Sequence, residues 1–210
     1  MRIGILVTER SSEYLQELEN ARRILREAGA ETVDVTPEKI YLQESTALTY
    51  EFRQALDLYL SQHNSSMRSL ADIIAFNKAH PISCLRHGQD LLEASAATSG
   101  TLAEPEYIES RTSLFCESRA LLDSLLSENG VDCLLGAGPG PVSNLSPISG
   151  APCMSIPARK PDERSFRPDS YYMMAGHYRE DVLLRTAYAL EKGLALNCRP
   201  SWVKEYPDIV

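Results

Sequence analysis

Cys153 and His177 supply a thiol and an imidazole, the pair that nucleophilic catalysis through sulfur requires. Nothing local links them, and Cys153 stands in an apolar run where cysteine is usually a small buried side chain. Cys84, His87 and Asp90 lie three apart, a spacing that sets metal-ligating types on successive helical turns. It matches no zinc pattern, so an ordinary helix surface is expected. Gly136, Gly138 and Gly140 follow a strand-like run, as phosphate-cradling glycines do. A dinucleotide fingerprint needs G-x-G-x-x-G and an immediate helix to receive the phosphate. Here Pro139 and Pro141 interrupt and no helical period follows, so the expectation is a loop at a sheet edge.

Two carboxylate pairs, Glu31 with Asp34 and Asp162 with Glu163, read as solvated acid in an acidic chain. Arg159, Lys160, Arg164 and Arg167 form a basic loop able to meet a carboxylate, but surface solvation accounts for it. Tyr171, Tyr172, Met173 and Met174 need only core packing. No G-x-S-x-G elbow, Walker motif, zincin motif or EF-hand loop occurs. The residues by themselves name no catalytic, cofactor-binding or metal-binding position.

The elements that would position these residues divide the chain into thirds. Arg2 to Val7 is a buried-strand run. Ser11 and Ser12 can cap the amphipathic helix that follows, with Tyr14, Leu15, Leu18, Ala21, Ile24, Leu25 and Ala28 on its stripe and Gly29 past its end. Glu31 to Val35 is a β-branched strand, joined to the first in parallel by a right-handed crossover. A helical middle spans 42–129. It comprises an imperfect helix over 42–60, a segment after the Ser69/Asp72 capping-box pair that ends near His80 before Pro81, a helix over 88–97 stopped by Gly100, and a long helix over 105–127. That last helix carries the stripe Ile108, Phe115, Leu122 and Leu125 and closes at Gly130.

The final third changes character. Strands are expected over 131–135, 153–156 and 171–175, with the glycine- and proline-rich run from Gly136 to Pro152 as loop. A helix over 180–192 buries Val182, Leu183, Thr186, Ala187 and Leu190 and ends at Gly193. The tail, 194–210, has no period. The fold class is α/β: a partial α/β/α sandwich, with a mixed or mainly parallel sheet of about five strands and flanking helices, in a single domain over 1–210.

Composition narrows the partners. The 21 lysines and arginines against 29 acids give a net charge of −8, the wrong sign for a phosphate-backbone or anionic-membrane binder. No apolar run reaches the length of a membrane span or a signal-peptide core. The 5 cysteines are odd in number and widely spaced, which points to a reduced, cytoplasmic protein rather than a disulfide framework.

Several linked segments resemble one family. TYEFRQALDLYL at 49–60, SLADIIAFNKAH at 69–80, HGQDLLEASAATSG at 87–100 and EPEYIESR at 104–111 look like the C-terminal half of the amidase signature family. VDCLLGAG at 131–138, GAPCMSIPA at 150–158 and EDVLLRTAYALEKG at 180–193 do the same, as do RIGILV and ETVDV near the start. The resemblance implies an α/β/α sandwich built for hydrolysis of amide carbon–nitrogen bonds. It implies a catalytic set of a lysine, a bridging serine and a nucleophilic serine, with a glycine- and serine-rich oxyanion loop, all in the other half.

None of this chain's lysines, Lys39, Lys78, Lys160, Lys192 and Lys204, opens such a loop, and neither Ser11–Ser12 nor Ser65–Ser66 sits among glycines. The resemblance therefore carries no catalytic residue onto this chain and implies no cofactor. The stretch 159–176 is longer and more charged than in the family, which bears on substrate choice. The resulting expectation is a catalytically incomplete amidase fragment. The alternatives are a non-catalytic subunit of a split amidase and a repurposed small-molecule or protein binding module. The expected partners are an N-terminal amidase half or a homo-oligomer through an exposed sheet edge, such as a dimer.

Overall fold

The computed structural model describes residues 1–8, 14–38, 42–138, 140, 142–159 and 169–196. Strands β1 (Arg2–Leu6) and β2 (Glu31–Val35) flank helix α1 (Leu15–Glu27). Helices α2 (Ser45–Gln62), α3 (Leu70–Ala79), α4 (Pro81–Cys84), α5 (Asp90–Ala96) and α6 (Pro105–Asn129) follow. The chain then returns through β3 (Cys133–Ala137), α7 (Val142–Ser149), β4 (Cys153–Pro157), β5 (Ser170–Ala175) and α8 (Glu180–Leu194).

The chain divides into two compact units, one of 1–42 with 117–210 and one of 43–116. The first holds an open, mixed sheet in the order β2-β1-β3-β5-β4. β1 pairs parallel to β2 and β3, while β5 runs antiparallel to β3 and β4. The α/β class with a five-stranded sheet and flanking helices is therefore the architecture observed.

Alternation sorts the sheet residues onto two faces. Ile3, Ile5, Cys133, Leu135, Tyr171, Met173 and Ala175 meet Leu18, Ala21, Ile24 and Leu25 of α1 and the stripe Val182, Leu183, Ala187 and Leu190 of α8. Leu6, Leu134 and Met174, of the other parity, are buried on the opposite face, where α7 packs on β5. The α8 stripe, Thr186 included, is buried as its spacing predicts. α1 ends as predicted, with Gly29 at φ 83° past the cap.

The second unit is helical. The Ser69/Asp72 pair forms a full capping box: the Asp72 N–H donates to Ser69 Oγ and the Ser69 N–H to the Asp72 carboxylate. Arg53 of α2 donates to the carbonyls of Ala96 and Thr98, fastening the end of α5. Two C-caps share one device. His63 stacks on Tyr59 and donates from Nδ1 to its carbonyl at 2.7 Å, and His80 does the same with Phe76 at 2.9 Å.

The structure corrects several expectations. The run after β3 is not all loop: α7 occupies 142–149 with Pro147 inside it. In so short a helix the proline removes one hydrogen bond, and Val142, Leu145, Ser146 and Ser149 recur at helical spacing on its buried face. β3 begins at Cys133, not Val131, because Asp132 is bound backbone and side chain to Arg2 at the head of β1. Gly193 does not stop α8, whose left-handed cap is Ala195 at φ 48°. Ile108 and Phe115 are exposed, so only the later part of the α6 stripe, Leu122 and Leu125, is core. Cys153 is exposed, because Met154 and Ile156, of the opposite parity in β4, are the residues that pack on the core. The caps proposed at Ser11 and Ser12 lie outside the described residues, as do Lys39, Pro139, Pro141, Cys198, Lys204 and the tail beyond 196.

Candidate functional site

β4 runs in the sense of β3, since both oppose β5, so the carboxyl ends of β2, β1, β3 and β4 lie together. In open α/β sheets that end is where ligands gather. Its centre is the end of β3, the middle strand rather than a sheet edge, and α7 starts four residues beyond Gly138. The glycine string therefore does sit in a strand–loop–helix turn, contrary to the sequence expectation.

One of its glycines has a steric role. Gly138 has φ 69°, and a Cβ there would overlap the ring of Tyr14. Its N–H donates to the Ser170 carbonyl at 2.9 Å. The Gly140 carbonyl accepts the Ser143 N–H at 3.1 Å and the Ser143 hydroxyl at 2.6 Å. Asn144 holds Leu42 by both backbone groups, accepting its N–H at 2.9 Å and donating to its carbonyl at 3.3 Å. The loop is braced by its own hydrogen bonds.

Beside it, Arg159 follows β4 and pairs with Asp169 and with Glu17 at 3.6 Å. The buried Tyr171 donates its hydroxyl to the Glu17 carbonyl at 2.7 Å, and burial drives its pKa upward. Arg159 thus joins α1 to the sheet rather than standing as a bare cation. Lys160, Asp162, Glu163, Arg164 and Arg167 lie outside the described residues.

His177 Nε2 donates to the Ser149 carbonyl at 3.0 Å, which ties β5's exit to the end of α7 and commits that nitrogen. Glu31 pairs with Arg2 and Asp34 with Arg22, so neither serves the other as a carboxylate partner. Cys84 ends the single turn α4, and Asp90 opens α5. Among the described residues no group of three or more His, Cys, Asp or Glu can hold a metal ion, and no helix is long and apolar enough to cross a membrane.

Sequence reasoning missed the two buried serines in the last turn of α7, Ser146 and Ser149. Ser146 Oγ donates to the Ala151 carbonyl at 2.9 Å and Ser149 Oγ to the Ser146 carbonyl at 3.2 Å, while the Ala151 N–H donates to Ser149 Oγ at 3.3 Å. Their spacing along α7 was the available signal. Buried and bound to backbone, these hydroxyls shape the turn into β4. Cys133 is buried too, and desolvation pushes its thiol up to about 11, which keeps it protonated and unreactive.

No family model and no curated protein matches the sequence. Solved structures do match. PAM12A superposes with a TM-score of 0.82 and 30% identity over 95% of this chain and 44% of its own. The native peptide amidase from Stenotrophomonas maltophilia gives 0.79 and 31% over the same shares. An amidase family protein from Bacillus anthracis gives 0.77 and 26% over 95% of this chain and 39% of its own. The chain spans less than half the length of these proteins, and over nearly all of its own length it has the fold of that part of an amidase.

Proposed function

We propose that this chain is the C-terminal portion of an amide hydrolase and does not hydrolyse amides by itself. The observation that carries the reading is the superposition of 95% of the chain on 44% of the Stenotrophomonas maltophilia peptide amidase at 31% identity. The segments that resemble the amidase signature family belong to the half without its lysine, bridging serine and nucleophilic serine. The chemistry would then come from a complementary polypeptide. That partner supplies the nucleophile, the base and the oxyanion donors, and removing a single oxyanion donor already costs about 2.7–4 kcal/mol.

This chain's share is scaffolding. Gly138, the start of α7 and Arg159 after β4 border the carboxyl end of the sheet, where they would wall the substrate side. The reading is tested by assaying the purified chain on aryl and aliphatic amides, alone and with a complementary N-terminal amidase portion. Turnover confined to the mixture is the expected result. Turnover by the chain alone would sink the proposal.

A further inference from the structure

Helices α1 and α8 pack together on one face of the sheet and leave a groove of about 660 Å³ between them. Ile24 and Ala28 of α1 line one side, and Ala189 and Gly193 of α8 line the other. Met1 and Ala30, which precede β1 and β2, also line it, so it lies toward the amino ends of those strands.

The α8 side carries charge. Arg185, Tyr188, Ala189, Lys192 and Gly193 line it, and steps of three and four put them on one face of the helix. Arg185 and Lys192 stand two turns apart, about 10.5 Å along the axis at about 1.5 Å per residue. Long helical side chains lean toward the N-terminus, so both cations lean the same way and keep that spacing. Lys192 Nζ stands 5.6 Å from the centroid of the Tyr188 ring, one turn back, which is a cation–π distance.

Carboxylates are plentiful in this chain, with 29 acids to 21 lysines and arginines. Arg2, Arg22, Arg23, Arg53, Arg111 and Arg179 each pair with one. Among the described residues Arg185 and Lys192 form no ion pair. Asp181, one turn before Arg185, bonds to Arg179 at 3.0 Å. Glu27, which lines the groove, bonds to Arg23 at 2.9 Å. The groove therefore presents two separated positive charges with apolar surface between them.

We infer that this groove binds an elongated dicarboxylate with an apolar middle. Its two carboxylates meet Arg185 and Lys192, and its chain lies on Ile24, Ala28 and Ala189. Two separated cations call for two acids, and the apolar floor calls for methylenes between them rather than hydroxyls. A compact polyphosphate would gather its charge at one cation and leave the other cation and the floor unused. Both cations are exposed, so each contact adds modestly and salt screens it.

The test titrates the purified full chain with azelate, whose extended chain matches the spacing of the two cations, in low-salt buffer, and follows two-dimensional amide NMR. Saturable shifts at the Gly29, Ala30 and Gly193 amides are the expected result. Nonanoate, of the same length with one carboxylate, should bind more weakly, and nonane-1,9-diol more weakly still. Arg185→Gln and Lys192→Gln should each weaken azelate about threefold and together about tenfold. Arg86→Gln removes the same charge from the helical unit and should leave the affinity unchanged. Arg185 and Lys192 lie on exposed helix surface, and the amide spectrum itself reports whether each variant is folded. No saturable shift at those amides, nonanoate binding as tightly as azelate, or wild-type affinity in the double variant would each overturn the site. A loss with Arg86→Gln equal to that of Arg185→Gln would reduce the effect to overall charge and overturn it too.

Discussion

Gly193 of α8 lies against Ile24 of α1 so closely that a Cβ at 193 would overlap Ile24 Cγ2 and stand 3.0 Å from Cγ1. The glycine thus sets how near two helices on the same sheet face approach. Gly193→Ala gains helix propensity of about 1 kcal/mol but overpacks the crossing, which costs about 1–3 kcal/mol. A net loss of stability is expected in urea unfolding. Ile24→Ala should relieve that overlap, so a double-mutant cycle should show coupling between the two sites.

Leu122 and Leu183 are essentially fully buried on α6 and α8. Each substitution to alanine should cost about 2–5 kcal/mol, the range for a leucine deleted from a packed core. Leu184, one residue along and 60% exposed, should change stability by no more than about 0.5 kcal/mol on truncation. Equal losses at 183 and 184, read by chemical denaturation, would misplace the α8 stripe.

Ser69→Ala removes the acceptor for the Asp72 N–H and should cost about 1 kcal/mol. Backbone hydrogen bonds from Arg68 and the Ser69 side chain and N–H hold the Asp72 carboxyl below its ordinary value. The stabilisation from a lowered carboxylate pKa is complete above the unfolded value and fades as pH falls through the folded one. Acid unfolding of Asp72→Asn should therefore lack that component of the wild-type pH dependence.

The buried Cys133 thiol is raised from 9.0 to about 11 by desolvation. A raised thiol is stabilising in its neutral form, so its contribution holds below pH 9 and is lost as pH climbs toward 11. The slope reaches at most about 1.4 kcal/mol per pH unit. Cys133→Ala should flatten that alkaline loss. In native protein a thiol reagent should modify exposed Cys116 and Cys153 quickly and Cys133 only on unfolding.

Much of this architecture was legible in the residues. The middle of the α1 stripe, the α8 stripe, the Ser69/Asp72 box and the strand at 31–35 follow from local periodicity and capping, which sequence carries directly, whereas Leu15 and Ala28 at the two ends of the α1 stripe are exposed. α7 was hidden because Pro147 and the neighbouring glycines read as breakers, while Val142, Leu145 and Ser149 carried the helical spacing beneath them. The exposure of Cys153 was not readable, since it depends on which face of β4 the helices cover, a choice made by tertiary order. Ile108 and Phe115 misled for a related reason: an apolar stripe states what can be covered, not what covers it. The candidate site was legible mainly as a resemblance, because the residues at the carboxyl end of β3 bond to backbone and to one another.

The most direct test of the account treats the purified chain with a fluorophosphonate, which labels activated serines, alone and mixed with a complementary N-terminal amidase portion. Intact-mass analysis should place the adduct on the complementary polypeptide and leave this chain unlabelled in both samples. A stoichiometric adduct on any serine of this chain would contradict the claim that it contributes no nucleophile.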